Sequence, residues 1–271
     1  MKQQISYKHS VVNYYVWGNG EKLLFCLHGY GETAMSFQLL EGALEETYTM
    51  IGVDLPFHGD TQWNEGLDCS PEDLTAIINS ICIQLNKTAD EKLTLLGYSM
   101  GGRLCLAMLQ EIPQRIERLV LLAPDGLYKN KWYWFATQTS IGKRVFYNAV
   151  KNPGWLFAVM KTGETMGLLG KSISRITHYY LDQEHERLLL YKRWMTFRKL
   201  RPVIAILKKL IAANHIPVSL LFGAYDQLIL SKRGRNLRNG LETFVHHHTI
   251  EAGHQLLKEK YVKTIASLFY E

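Results

Sequence analysis

The sequence contains no apolar run that approaches the roughly 20 residues of a membrane-spanning helix. Its first residues, Met1 to Ser6, lack the apolar segment of a secretory signal. Cysteine is scarce, and the four cysteines form no C-x-x-C pair. Because Cys26 and Cys105 fall within predicted apolar elements, we expect buried free thiols rather than disulfides. These absences predict a cytoplasmic protein with no transmembrane segment.

What is present is an ordinary globular composition with an uneven distribution of charge. The 271 residues are 47% hydrophobic and 21% charged, enough for one large α/β domain or a core with an inserted subdomain. Residues 126–213 hold 16 Lys and Arg against 4 Asp and Glu, whereas the rest of the chain is net acidic. This basic segment is expected to meet anions. Nucleic acid is not expected, because the basic residues are scattered among bulky apolar ones and match no nucleic-acid-binding motif.

Short apolar runs predict buried strands with helical segments between them. The runs lie at residues 23–27, 48–53, 93–96, 119–123 and 218–222. This alternation is typical of a mostly parallel sheet covered by helices on both faces. From residue 125 to residue 213 the alternation gives way to helical, aromatic-rich sequence. We therefore expect an α/β core of residues 1–124 and 214–271, with residues 125–213 inserted as a helical cap.

One predicted helix has a clear start signal, whereas the bounds of the others are approximate. Ser70, Pro71 and the following acids Glu72 and Asp73 form a capped start for a helix that ends near Asn86. Two more helices are expected, from about residue 33 to residue 46 and from about residue 255 onward.

The residues 97–101, Gly-Tyr-Ser-Met-Gly, match the pattern G-x-S-x-G. A predicted strand precedes them and a helical pattern follows, which is the setting of a nucleophile elbow. Glycine is needed on either side because a side chain there would collide with the neighbouring strand and helix. The helix N-terminus favours developing negative charge. The pattern predicts that Ser99 is a nucleophile.

A serine nucleophile requires a base and an acid that orients the base. His254 follows the last predicted strand, which lies near residues 243–250, and is the candidate base. Asp226, at the end of the preceding strand, is the preferred acid, and Asp125 is its rival. Three adjacent histidines lie within a predicted strand, where neighbours face opposite sides and cannot converge on a metal: His246, His247 and His248. No metal site is expected.

Acyl transfer also requires donors for an oxyanion. The backbone N–H groups of Tyr30 and Met100 each follow a strand, where amides lack partners, and are the candidates. His28 and Gly29 are expected to shape the first of these turns. Asp54, at another strand end, is expected to order the loop that follows it, residues 56–59.

On these motifs the chain resembles the α/β-hydrolase superfamily over nearly its whole length. The resemblance rests on residues 28–31, 54–59, 97–102, 221–226 and 252–254. It implies Ser99, His254 and Asp226 as the catalytic triad, and an eight-stranded sheet with a helical cap after the sixth strand. It implies no cofactor.

Within that superfamily, residues 97–103 are similar to the menaquinone-pathway synthases that eliminate pyruvate (SHCHC synthases). There the arginine after the glycine pair binds substrate carboxylates, so the resemblance makes Arg103 a candidate substrate-binding residue. The alternative is an ordinary ion pair that anchors the elbow helix. Trp132 and Trp134 are further candidates: with their aromatic neighbours they would line a pocket, touch a lipid surface, or pack the cap onto the core.

The leading hypothesis is a serine hydrolase that acts on a small ester, thioester or related acyl substrate, with an anionic substrate as a variant of that hypothesis. The first alternative is a lyase that uses the same triad to eliminate pyruvate. The second is a non-catalytic binding protein on this fold, whose usual sign is a broken triad.

Overall fold

The computed structural model describes residues 1–166 and 182–271, which form two compact units. The first unit comprises Met1–Glu65, Cys69–Tyr128 and Lys199–Glu271. The second comprises Gly66–Asp68 and Lys129–Arg198. Within the described ranges, no helix has the length and apolar character needed to cross a bilayer.

Eight strands of the described residues form one sheet in the first unit. Their order across the sheet is β1-β2-β4-β3-β5-β6-β7-β8, and β2 runs antiparallel to both of its neighbours while the other pairs are parallel. The predicted fold class, a mostly parallel eight-stranded sheet flanked by helices, is therefore confirmed. The strands are β1 Lys2–Tyr7, β2 Ser10–Trp17, β3 Lys22–Leu27, β4 Tyr48–Val53, β5 Leu93–Tyr98, β6 Ile116–Leu122, β7 Val218–Gly223 and β8 Val245–Ile250.

The α-helices of the described residues are α1 Glu41–Leu44, α2 Pro71–Gln84, α3 Met100–Glu111, α4 Lys131–Gln138, α5 Ser140–Lys151, α6 Gly154–Thr165, α7 Glu184–Thr196, α8 Ile204–Asn214, α9 Lys232–Arg238 and α10 Val262–Ser267. Short 3₁₀ helices lie at Ala34–Leu40, Pro113–Arg115, Phe197–Lys199 and Glu259–Tyr261. Helices α4 to α7 belong to the second unit and the others to the first.

The centre of the sheet forms the core of the first unit. Every residue of β5 and β7 is buried, because parallel strands between two helical layers have no face in water. The β8 strand lies at the sheet edge and keeps most of its side chains half-buried. The turns that follow β3, β5, β6 and β7 all begin at this buried part of the sheet.

The second unit contains a cluster of half-buried aromatic rings. Tyr133 and Phe146 both pack against Trp194, with ring centroids 5.1 and 5.3 Å apart, and Phe146 also contacts Tyr191 at 5.2 Å. The Tyr133 hydroxyl donates to the Trp194 carbonyl at 3.2 Å. Large rings suit a small unit, since each one buries much apolar area.

The bounds of the inserted unit are narrower than residues 125–213. Helix α8 packs against α3 in the first unit, with Leu207 and Ile211 fully buried. The apolar pattern of α8 resembles that of the inserted helices, so the sequence alone does not assign α8 to the first unit. In the other direction, Gly66–Asp68 belongs to the second unit, where the Arg198 guanidinium donates to the Leu67 carbonyl.

Candidate active site

Ser99 occupies a strained turn between β5 and α3. Its φ and ψ are 51° and −113°, in a region that residues other than glycine rarely adopt. The turn is held by hydrogen bonds on both sides of the peptide: Ser99 N–H donates to the Leu122 carbonyl at 2.9 Å, and the Ser99 carbonyl accepts from Gly102 and Asp125 at 3.0 and 2.9 Å. The ends of two strands thus fix the serine in place.

The two glycines of the motif are required by close packing. A Cβ on Gly101 would lie 1.8 Å from the carbonyl oxygen of Leu27, at the end of β3. A Cβ on Gly97 would lie 2.7 Å from the Gly102 Cα and 2.8 Å from the Cys105 Sγ. Any side chain at either position would push the sheet and the elbow helix apart.

The structure brings Ser99, His254 and Asp226 into one hydrogen-bonded row. His254 Nδ1 lies 2.7 Å from the Asp226 Oδ2, and His254 Nε2 lies 3.0 Å from the Ser99 Oγ. A carboxylate only accepts, so Nδ1 carries the proton and Nε2 is left to accept from the serine hydroxyl. The row has the hydrogen-bond geometry of a nucleophile, its base and an orienting acid.

Asp226 is held as a buried carboxylate. Its side chain is fully buried, and its Oδ1 accepts from the N–H groups of Leu228 and Ile229 at 2.8 and 2.9 Å. Burial by itself would raise the pKa of Asp226, but the hydrogen bond from His254 and those from the two amides outweigh it and lower the pKa. The acid therefore stays ionised beside the imidazole.

The rival acid Asp125 is engaged elsewhere. One of its carboxylate oxygens accepts from the Gly126 N–H at 2.7 Å, and the other lies 3.5 Å from the guanidinium of Arg103. Arg103 is buried on α3, one turn after Ser99. The ion pair joins the elbow helix to the segment that follows β6, which is the structural alternative that the sequence left open for Arg103.

The candidate oxyanion donors lie at two turns beside the serine. Met100 is the first residue of α3, so its N–H has no acceptor within the helix. Tyr30 lies in the turn after β3. His28 shapes that turn: the Leu55 N–H donates to its Nε2 at 3.1 Å, so its Nδ1 carries the proton and donates to the Gly29 carbonyl at 2.8 Å.

Asp54 orders the loop after β4, as predicted. Its carboxylate accepts from the Ala34 N–H and the Asn13 side-chain amide, each at 2.8 Å, and from the Asp60 N–H at 3.2 Å. The Asp54 carboxylate fills the space where a Cβ on Gly59 would stand, which accounts for the glycine there.

Tyr98 is a site residue that the sequence analysis did not single out. Its hydroxyl donates to the His254 carbonyl at 3.1 Å, and its ring lies 5.5 Å from the imidazole. A Cβ on Gly29 would stand 3.0 Å from the same ring. Tyr98 thus contacts both the loop of residues 252–258 that carries His254, here called the histidine loop, and the turn of residues 28–32 after β3, here called the oxyanion turn. In the sequence, the only sign of its importance was its place within G-x-S-x-G.

Glu32 is a second carboxyl group on the oxyanion turn. Burial raises its pKa above the ordinary value, although Ser36, His254 and Gln255 act in the opposite direction. The interaction with His254 indicates that this carboxyl group lies near the imidazole.

The remaining predicted site residues lie in the second unit. Trp132 and Trp134 are on α4, where 81% and 36% of their surface is exposed. Lys129 lies over the Trp134 ring at 4.3 Å from its centroid, a cation–π contact. Their predicted contact with substrate stays a prediction.

The three adjacent histidines diverge, as their strand position requires. His247 Nε2 lies 2.9 Å from the Ser231 carbonyl oxygen, and His248 Nε2 lies 2.9 Å from a Glu271 carboxylate oxygen. Among the described residues, no group of three or more His, Cys, Asp and Glu side chains is placed to hold a metal ion.

Known proteins resemble this chain, some along most of its length and some over little more than a third of it. It is 24% identical over 249 residues to the uncharacterised hydrolase YugF of Bacillus subtilis (strain 168), covering 89% of this chain and 86% of that protein. A shorter match, 30% identical over 102 residues, covers 38% of this chain and 36% of a pimeloyl-[acyl-carrier protein] methyl ester esterase of Neisseria meningitidis serogroup C. Among solved structures, a thermophilic esterase from Thermogutta terrifontis has a TM-score of 0.66 at 17% identity, covering 100% of this chain and 97% of that one.

A family model agrees with these comparisons. The model described as the alpha/beta hydrolase fold matches residues 22–261, which include the elbow, Asp226 and His254. With that match, the chain belongs to the α/β-hydrolase fold family.

Proposed function

We propose that this protein is a serine hydrolase that cleaves a small ester, thioester or related acyl substrate through an acyl-enzyme. The observation that carries the proposal is the position of His254, whose two ring nitrogens lie 2.7 Å from the Asp226 carboxylate and 3.0 Å from the Ser99 hydroxyl. A complete triad argues against a binding protein with no catalytic activity.

The hydrogen bonds assign a task to each member. His254 Nε2 takes the hydroxyl proton as Ser99 Oγ attacks the substrate carbonyl carbon. The protonated imidazole then delivers that proton to the leaving alcohol or thiol as the carbonyl–heteroatom bond breaks. Asp226 holds the Nδ1–H tautomer and stabilises the imidazolium, for which its lowered pKa suits it.

The second half of the reaction repeats these steps with water. His254 deprotonates a water molecule, whose oxygen attacks the acyl carbon and releases the acid and free Ser99. In both halves, the N–H groups of Met100 and Tyr30 stabilise the negative charge on the carbonyl oxygen. The chemistry needs no cofactor.

The relatives support an acyl substrate without fixing it. One matched relative is named as a methyl ester esterase and one solved neighbour as an esterase, the first over little more than a third of this chain. In this proposal the second unit acts as the cap, and its basic residues would favour an acyl substrate that carries negative charge.

The lyase alternative depends on Arg103 binding the carboxylates of an anionic substrate. Arg103 is buried and ion-paired with Asp125 at 3.5 Å, which supports a role in anchoring α3. No feature of the triad favours elimination over acyl transfer, so hydrolysis remains the preferred reaction.

The test is hydrolysis of p-nitrophenyl esters of increasing acyl length by the wild type and the Ser99→Ala, His254→Ala and Asp226→Asn variants. We expect kcat to fall by about 10⁴-fold or more in each, because the triad acts as a unit. The preferred acyl length would measure the pocket.

Ser80→Ala is the matched control, since Ser80 lies on α2 and its hydroxyl bonds only to the backbone of its own helix at Ala76. It should hydrolyse the esters at the wild-type rate. Hydrolysis that survives in Ser99→Ala would contradict the proposal.

A further inference from the structure

The helices α4, α5 and α6 expose large apolar side chains. On α5, Ile141 and Val145 are 71% and 41% exposed, and on α6, Trp155 and Val159 are 45% and 59% exposed. The members of each pair are four residues apart and so lie on one face of their helix. Each of these helices therefore presents an apolar row to solvent, and Trp132 and Phe135 extend the exposed set onto α4.

The most exposed of these side chains, those of Trp132, Ile141 and Val159, take no part in the ring contacts of the second unit. Those contacts join the half-buried rings of Tyr133, Phe146, Tyr191 and Trp194. Exposed large apolar residues that a folded unit does not use for its own core mark an interaction surface when they cluster. Three consecutive helices all expose such residues, and α5 packs against both α4 and α6, which brings the exposed residues of the three helices near one another.

Positive charge accompanies the apolar rows. Residues 129–166 contain six Lys and Arg and one Asp or Glu. Arg144 is exposed on α5, three residues after Ile141 and therefore next to the apolar row. Lys161 is exposed on α6 and, two residues after Val159, lies on the polar side of that helix. Helices with an apolar row that includes tryptophan and with basic residues on the rest of their surface are typical of peripheral contact with a membrane surface.

We propose that the exposed residues of α4, α5 and α6, here called the α4–α6 surface, bind the surface of an anionic lipid bilayer. The lysines and arginines would meet the headgroups while Trp155 and its apolar neighbours enter the interface between headgroups and acyl chains. Charge favours this occupant over a symmetric dimer, because pairing the α4–α6 surfaces of two copies would bring two positively charged surfaces together.

This binding goes beyond the proposed hydrolase function and does not depend on it. None of the residues of the α4–α6 surface belongs to the Ser99–His254–Asp226 row. The Ser99→Ala variant should therefore bind lipid as the wild type does, whether or not the chain hydrolyses esters.

The experiment is vesicle flotation of the full chain. One set of vesicles contains phosphatidylcholine and phosphatidylglycerol in equal amounts, and the other contains phosphatidylcholine alone. We expect the wild type to float with the anionic vesicles, less at high salt, and to show a blue shift of tryptophan emission on binding. The variant Ile141→Ser/Val159→Ser should lose most of this binding.

Two matched pairs separate a specific surface from general stickiness. Ile83→Ser/Val203→Ser removes apolar side chains of the first unit that are 61% and 47% exposed, nearly as much as Ile141 and Val159, and should leave binding unchanged. Arg144→Gln/Lys161→Gln should weaken binding to anionic vesicles by about fivefold for each residue. Lys232→Gln/Arg235→Gln, which removes the same charge from α9, should have a much smaller effect.

Circular dichroism would verify that each variant is folded. The proposal would be overturned if the folded wild type did not float with anionic vesicles, or if the variants of the two units lost binding equally. It would also be overturned if sedimentation showed that Ile141→Ser/Val159→Ser disrupts self-association while vesicle binding is retained.

Discussion

At the scale of single residues, the position of Ser99 depends on a strained backbone and on close packing around Gly97 and Gly101 more than on charge. Ser99 keeps its left-handed φ because hydrogen bonds from β6 and from Asp125 hold its peptide. The sequence could indicate this strained turn, because only glycine fits at positions 97 and 101 and both glycines belong to the pattern G-x-S-x-G. It could not indicate Tyr98, because the contact with His254 joins residues 156 positions apart and the pattern G-x-S-x-G does not specify the residue before the serine.

Tyr98 provides the prediction at this scale. Replacing it with Phe removes the hydroxyl that donates to the His254 carbonyl and leaves the ring against the imidazole. We expect kcat for an ester to fall about 3–10-fold with KM unchanged, because one neutral hydrogen bond positions the base. Steady-state kinetics would measure both constants.

Tyr14→Phe is the control, since Tyr14 is also buried and its hydroxyl bonds to Gln3 on the neighbouring strand. Equal losses of kcat in the two variants, or a rise in KM alone for Tyr98→Phe, would show that Tyr98 does not position His254.

At the scale of elements, the sequence predicted a helix correctly where the residues that start the helix are neighbours in the chain. The start of α2 was predicted and is confirmed as a capping box between Ser70 and Asp73. The helix expected over residues 33–46 is instead a 3₁₀ helix followed by the short α1. There the Asp54 carboxylate, from the next strand, binds the Ala34 N–H. The helix expected from residue 255 begins only at Val262, because residues 252–258 form the histidine loop.

Asp73 shows how one cap joins several elements. Its carboxylate accepts from the Ser70 N–H, from the Tyr7 hydroxyl and from Lys8, so it joins the start of α2 to the first hairpin. Partial burial by itself would raise the pKa of Asp73, but these donors outweigh it and lower the pKa from 3.8 to about 2. The stability it contributes is therefore present above pH 3.8 and is lost as the pH falls through this window.

We expect Asp73→Asn to lower the free energy of unfolding by about 1–2 kcal/mol at neutral pH. Between pH 4 and pH 2 the difference from wild type should shrink, because the wild-type carboxylate is protonated there. Urea unfolding at several pH values would measure this. Glu72→Gln, a neighbouring first-turn acid without the long-range contacts, is the control; a difference that does not change with pH would contradict this account.

At the scale of the whole molecule, the sheet brings together residues that are far apart in the sequence, which no local pattern can do. Ser99 and His254 are 155 positions apart, and Asp226 precedes His254 by 28, yet each follows a strand and meets the others at one edge. The order of elements predicted this convergence, because parallel strands place their carboxyl ends together. The limits of the inserted unit could not be predicted, since the packing of α8 on α3 is a tertiary contact with no sequence mark of its own.

The measurement that tests the central claim most directly is labelling of the folded chain with a fluorophosphonate, followed by mapping of the modified peptide by mass spectrometry. Such a probe reacts with a serine that a neighbouring base activates. We predict one modified residue, Ser99, with labelling lost in Ser99→Ala and greatly slowed in His254→Ala. A wild-type chain that is folded but unlabelled, or labelled at another serine, would contradict the claim that this row of residues is a working triad.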